Sequence, residues 1–256
     1  MFSPYLRDVT TSNAAHILGA GSTMSQRRRL GKRVIARFYD FVVEIGQSRG
    51  ATLEQLTTRI ASVEADRVYR QARRSKRGAV IVTAHFGNFE VGLASICRIE
   101  PRVHVVFQRD EMSLFERLRR DLHRRLGVIE TPIDDGPASW LALRDALAGD
   151  DAVVLQGDRV MPGQKSSVVP FFDGHLRLPH GPVKLAMLME APLIPVYAVQ
   201  AGGGRVRIVL DEPIELTRDA DIEEILSRVA QSLEAIVTRH PDQWHVLHRA
   251  WVEDGG

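Results

Sequence analysis

The run 79–84, Ala-Val-Ile-Val-Thr-Ala, carries no charge and is rich in β-branched residues. A segment this short and this apolar suits a strand buried on both faces, and such strands belong to parallel sheets covered by helices on each side. The rest of the chain repeats the theme. Strand signals at 103–108, 128–130, 152–155 and 193–199 alternate with helical signals near 88–99, 112–126, 138–148 and 181–190. This alternation predicts an α/β fold, a mostly parallel central sheet with helices on both faces. Asp173-Gly174 marks a hairpin between 167–172 and 175–178, Gly202-Gly203-Gly204 turns into a strand at 205–210, and a long helix is expected at 219–239.

The first strand ends at His85, in His85-Phe-Gly87-Asn88-Phe-Glu90. Open α/β sheets place their ligands at the carboxyl ends of strands, so this histidine stands where chemistry is expected. Glu90 falls on the first turn of the following helix, within reach of the imidazole to hold one tautomer. The chemistry implied is proton abstraction from a hydroxyl. A structural reading stands beside it: Asn88 caps a helix, Glu90 favours the positive helix end, and His85 is a satisfied core histidine. No His-Glu-x-x-His motif is present, which argues against a metal site.

Gln156-Gly157-Asp158-Arg159 also follows an apolar strand and opens onto the same sheet edge. Arg159 suits a ligand phosphate or a developing oxyanion, with Asp158 orienting it; a plain structural ion pair is the alternative. Pro179-His180-Gly181-Pro182 opens a helix whose free N–H groups suit an anion. There is no Gly-x-Ser-x-Gly elbow, Walker loop or Gly-x-Gly-x-x-Gly, so serine hydrolysis and nucleotide chemistry both lose ground.

At 256 residues, with 44% hydrophobic and 26% charged side chains, the composition is that of a folded globular protein. We read residues 1–25 as a loose arm, rich in Ser, Thr, Asn and Gly, and residues 26–256 as one α/β domain. In 26–45, Leu30, Val34, Phe38, Phe41, Val42 and Ile45 recur at helical spacing, with Arg27, Arg28, Lys32 and Arg33 crowding the first turns. That basic amphipathic helix either lies on an anionic membrane with its aromatic residues in the interface or packs on the domain with its charges in water. A second helix is expected at 52–72. The one cysteine, Cys97, rules out an intrachain disulfide. No run reaches the length of a spanning helix and no signal peptide is apparent, so the expected location is the cytoplasm or, peripherally, the cytoplasmic face of the inner membrane. Aromatic residues make up only 6% of the chain and the basic runs contain acidic residues such as Asp121, so nucleic-acid binding is not expected.

Taken in order, His85-Phe-Gly-Asn-Phe-Glu90, Asp158-Arg159, Val169-Pro-Phe-Phe172 with Gly174, Gly181-Pro182 with Lys184-Leu-Ala186, Ala191-Pro192 with Ile194-Pro-Val196, and His240-Pro-Asp-Gln-Trp244 with His248-Arg-Ala-Trp251 resemble the bacterial lipid A biosynthesis acyltransferases, within the lysophospholipid acyltransferase superfamily. The resemblance covers roughly residues 26–252. It implies transfer of a fatty acyl group from acyl carrier protein or coenzyme A to a lipid hydroxyl, with no metal, no cofactor beyond the donor and no covalent intermediate. It makes His85 the general base and Glu90 its orienting partner, with Gly87, Asn88, Asp158, Arg159 and Gly181 in the substrate site. The departures are a basic amphipathic helix in place of the usual membrane span, pointing to a peripheral membrane surface as partner, and Gly157-Asp158-Arg159 where lipid A enzymes more often show an Asp-x-Asp-like form. Two other functions fit the same residues: a non-catalytic module binding anionic lipid or acyl carrier protein, and an acyl thioesterase.

Overall fold

The computed structural model describes residues 3–109 and 113–252. Among these, seven strands form one sheet in the order β1-β9-β8-β2-β5-β3-β4, namely Ile60–Glu64, Arg205–Leu210, Leu193–Gly202, Ala79–Thr83, Ala152–Gln156, Val103–Phe107 and Ile129–Pro132. The strands β8, β2, β5, β3 and β4 run parallel. β9 is antiparallel to β8 through the triple-glycine turn, and β1 pairs parallel to β9. The mostly parallel α/β sheet expected from the sequence is therefore present.

Both faces are covered. Along β2, Val80 and Val82 point into a core shared with α7 (Pro137–Ala148), α8 (Gly181–Met189) and α9 (Ile222–Arg239). Ala79 and Ile81 point into the opposite core, with α3 (Leu53–Thr57), α4 (Asp66–Ala72), α5 (Phe89–Cys97) and α6 (Ser113–Leu126). Successive side chains of a strand face opposite ways, so a continuous apolar run is what a strand between two helical layers requires. The hairpin of β6 (Ser166–Phe171) and β7 (Gly174–Pro179) joins the first of these cores. The expected start of α6 at Met112 lies outside the described residues.

Two expectations fail. The segment 52–72 is not one helix: α3 gives way to the edge strand β1, which is followed by α4. Thr57-Thr58-Arg59-Ile60 weakens the helix with β-branched residues, and the exposed edge of β9 offers a ladder that the helix pattern could not foresee, with Val206 N–H donating to Arg59 O at 2.9 Å. Nor is the N-terminus loose. Residues Pro4–Leu18 form α1, started by Ser3-Pro4 and packed antiparallel on α2 (Met24–Gln47). Its small polar residues serve the packing. Thr10 sits against Gly31, and the Asn13 amide donates to His248 O at 2.8 Å while its Oδ1 accepts the Ala250 N–H at 3.3 Å.

The helix α2 begins at a capping box formed by Thr23 and Gln26. Its apolar stripe, Leu30, Val34, Ile35, Phe41 and Ile45, is buried on the protein. Inserting those residues into a membrane is thus not open to this fold. No helix among the described residues is long and apolar enough to cross a membrane.

A Cβ on Gly31 would lie 2.8 Å from Thr10 Oγ1 and 3.1 Å from the Thr10 carbonyl carbon. Gly31→Val is therefore expected to force α1 off α2 at a cost of about 1–3 kcal/mol, the usual range for overpacking. Thermal melts would register the loss, and limited proteolysis would show earlier cutting within 4–18.

Candidate active site

The strands β2 and β5 are neighbours in register, with Thr83 opposite Gln156. Two residues further along each strand's exit stand His85 and Asp158. His85 Nδ1 lies 2.8 Å from Asp158 Oδ1, and the backbone N–H of His85 donates to Asp158 Oδ2 at 3.1 Å. The Trp244 indole N–H donates to the same Oδ2 at 2.9 Å. Burial opposes charge on Asp158, but the adjacent His85, its hydrogen bond, Arg159 and the indole together hold its pKa well below the usual carboxylate range. An ionised carboxylate can only accept, so the proton of the neutral imidazole sits on Nδ1 and the lone pair on Nε2. The His85 side chain is 25% exposed, and its Nε2 has no protein partner among the described residues. The result is an oriented imidazole whose unprotonated nitrogen faces outward.

Glu90 does not orient His85. Its carboxylate is buried beneath α6, where Oε2 takes a hydrogen bond from His123 Nε2 at 2.9 Å, while His123 Nδ1 donates to Glu130 Oε1 at 2.7 Å. Both ring nitrogens face carboxylates, an arrangement that favours a doubly protonated ring. Burial alone would lower the His123 pKa, but the Glu90 charge and the hydrogen bonds to Glu130 and Glu90 lift it to about 9. The reason is that α5 packs on the sheet face that α6 also covers, and the first-turn position of Glu90 aims it at that helix rather than at the strand end.

The other expected residues divide in the same way. Gly87 has φ +55°, and a Cβ there would overlap the Ala198 carbonyl oxygen; it shapes the turn beside His85. Asn88 is buried, caps α5 by accepting the Val91 N–H at 3.1 Å, and donates to Glu44 of α2, so its position is structural. Arg159 stands next to Asp158, with Nη2 donating to His245 O at 2.7 Å and its buried Nε without a partner among the described residues. Gly181 opens α8 with the Trp140 ring where its side chain would be. His180 pairs with Ser167 at 2.8 Å.

Two residues at the site were not foreseen. Besides Trp244, His245 donates its backbone N–H to His85 O at 2.7 Å and its Nε2–H to Gly87 O at 2.8 Å. Burial pushes its pKa down to about 4, only partly offset by the Gly87 bond, so this ring is neutral. The signals pointing to this segment were the family-like block His240-Pro-Asp-Gln-Trp244 and the density of large side chains in 240–251.

These assignments separate in experiment. The stabilisation from protonated His123 is fully present below its unfolded pKa of about 6.5 and is lost as pH rises through the folded value of about 9. In melts from pH 6 to 10, the wild-type Tm should therefore fall more steeply across that window than that of Glu90→Gln. Glu90→Gln should cost up to about 3 kcal/mol at neutral pH, the low end for breaking a buried pair, because Glu130 remains. An unchanged melting curve would contradict the assignment.

Comparison with known proteins follows the same line. Residues 7–253 match the family of bacterial lipid A biosynthesis acyltransferases. The chain is 29% identical over 184 residues to the phosphatidylinositol mannoside acyltransferase of Mycolicibacterium smegmatis, covering 70% of this chain and 58% of that protein. It is 28% identical over 182 residues to the protein of the same name from Mycobacterium tuberculosis, covering 69% and 55%. The chain thus spans little more than half the length of these curated relatives. With a match running from α1 through the C-terminal tryptophan, this chain belongs to the bacterial lipid A biosynthesis acyltransferase family.

Proposed function

We propose that the protein transfers a fatty acyl group from a thioester of acyl carrier protein or coenzyme A to a sugar hydroxyl of a glycolipid, with His85 as general base. The observation that carries this reading is the outward Nε2 of His85, held in one tautomer and orientation by the buried, ionised Asp158 behind it. The acceptor hydroxyl gives its proton to Nε2 as its oxygen bonds to the thioester carbonyl carbon, and the carbonyl electron pair moves onto oxygen. When that carbonyl reforms, the C–S bond breaks and the thiolate leaves, taking the proton from Nε2. A base of this kind supplies roughly 10²–10⁴ in rate, and a thiolate leaves without a dedicated acid. Arg159, beside the pair, is the donor for the oxyanion or a donor phosphate. Glu90 has no part in the proton transfer.

The acceptor class rests on what the relatives' names share. A mannosylated phosphoinositide and a lipid A precursor are both anionic glycolipids with free sugar hydroxyls. Such lipids sit in a bilayer, and the outer ridge of α2 suits one. Arg28, Arg29 and Lys32 are exposed with no ion pair among the described residues, and further along the same side Tyr39 and Val43 are 51% and 56% exposed. Cations and apolar groups on one ridge match an anionic, peripheral membrane surface.

Purified protein given radiolabelled acyl carrier protein or coenzyme A thioester and a glycolipid extract should form a labelled lipid, and His85→Ala should not. Asp158→Asn should lower kcat by about 10²–10⁴ while leaving the fold intact. Labelled fatty acid without labelled lipid would replace the transferase with a thioesterase. For the membrane ridge, joint replacement of Arg28, Arg29 and Lys32 by Gln should weaken binding to anionic vesicles by about 100-fold at low salt, at about 1 kcal/mol per cation. Equal binding by both proteins would refute that surface.

A further inference from the structure

The segment 242–245 crosses the site after α9, and each of its residues grips a different part of it. Asp242 is held by Arg33 Nη2 at 2.9 Å and Arg37 Nε at 3.4 Å, both from α2. Gln243 accepts the Gly87 N–H through its carbonyl at 2.8 Å, and its side chain brackets Gln200 of β8 with two hydrogen bonds of 2.8 and 3.0 Å. Trp244 holds Asp158, and His245 holds both ends of the turn from His85 to Gly87. The His245 ring stacks on Phe41 of α2 at 5.4 Å and 22°, and Phe41 in turn packs on Phe89, which meets the His85 ring in a T-shaped pair at 6.2 Å.

We infer that Trp244 and His245 are positioning residues for the His85–Asp158 pair, the indole aiming the carboxylate and the imidazole locking the turn that carries the base. This rests on the reading of His85 given above. Packing alone would not need the polar atoms. A phenyl ring fills most of the Trp244 site, yet the indole N–H and the His85 backbone N–H together occupy Asp158 Oδ2, which leaves Oδ1 to the imidazole. Rotation of the carboxylate would break all three bonds at once. Likewise the neutral His245 ring spends its one N–H on Gly87 O, which fixes the peptide plane just after the base.

The titratable and charged groups nearest His85 are Asp158 and Arg159 at the end of β5 and His245 and His248 in the C-terminal segment. Burial depresses the pKa of both of these histidines, so Asp158 and Arg159 set the charge around the base. Removing the indole donor leaves more negative charge on Asp158 to stabilise a protonated His85. The titration of His85 should then move to higher pH, and its ring should lose alignment.

The test is a ¹⁵N-histidine NMR titration of the full chain, with His85→Ala assigning the resonance, run beside kcat and KM for acyl transfer. Trp244→Phe should raise the His85 midpoint by about 0.5 pH unit, the transmitted part of one charge-assisted hydrogen bond, and lower kcat about tenfold with the donor KM unchanged. His245→Phe keeps the stack on Phe41 but loses the donor to Gly87 O, and should lower kcat to a similar degree. His245→Gln keeps a donor and should retain several-fold more activity than His245→Phe. Should Trp244→Phe fail to fold, Trp244→benzothienylalanine removes only the N–H and fills the same volume. A folded variant lacking the indole N–H with wild-type His85 midpoint and kcat would overturn the role of Trp244; His245→Gln no better than His245→Phe would overturn that of His245. If the wild-type protein showed no transfer, the function would fail while the NMR midpoint still decided the positioning.

Discussion

Everything at this site depends on the in-register parallel pairing of β2 with β5. Because Thr83 lies opposite Gln156, the residues two places on, His85 and Asp158, emerge side by side, and their hydrogen bond of 2.8 Å follows from strand register rather than from any local motif. A slip of one residue would turn the side chains of a strand to the other face and separate the pair. That register is held by the apolar cores on both faces and by β8 on the far side of β2. Burial of Asp158 has a cost in desolvation, which its three hydrogen-bond donors and its charged neighbours offset.

The second layer of support comes from the two ends of the chain. The helix α2 packs its apolar stripe on the protein, grips Asp242 with two arginines, and bonds Asn88 through Glu44. The C-terminal segment then crosses His85, Gly87 and Asp158. The helix α2 is therefore joined by a short chain of contacts to His85. The buried Glu90–His123–Glu130 cluster lies apart from this chain and ties α5 to α6 and β4.

Much of the architecture was legible because it is periodic. Uninterrupted apolar runs marked β2 and β5, and the glycine turn marked the β8–β9 hairpin. Legibility failed where a local pattern was outweighed by a distant partner. Residues 60–64 carry helical spacing but pair with β9, and the polar residues of α1 read as a loop until Gly31 and the C-terminal backbone supply their partners. At the site, His85, Asp158 and Arg159 were singled out by their places at strand ends. Glu90 was given the wrong partner because five residues of sequence separation do not say which face of the sheet a helix will cover, and nothing near His123 in the sequence marks it as the partner.

The amino-acid order alone was enough for the alternating strands and helices, the strand-end position of His85 and the ordered blocks of the family, since each is written in residues close together along the chain. Only the folded chain settled that Asp158 holds the imidazole, that Glu90 belongs to a buried cluster, and that Trp244 and His245 bond to Asp158 and to the turn after His85. These are contacts between residues as many as 160 positions apart, as from His85 to His245. They are set by strand register and by which helices share a face, and those arise only when the whole core packs.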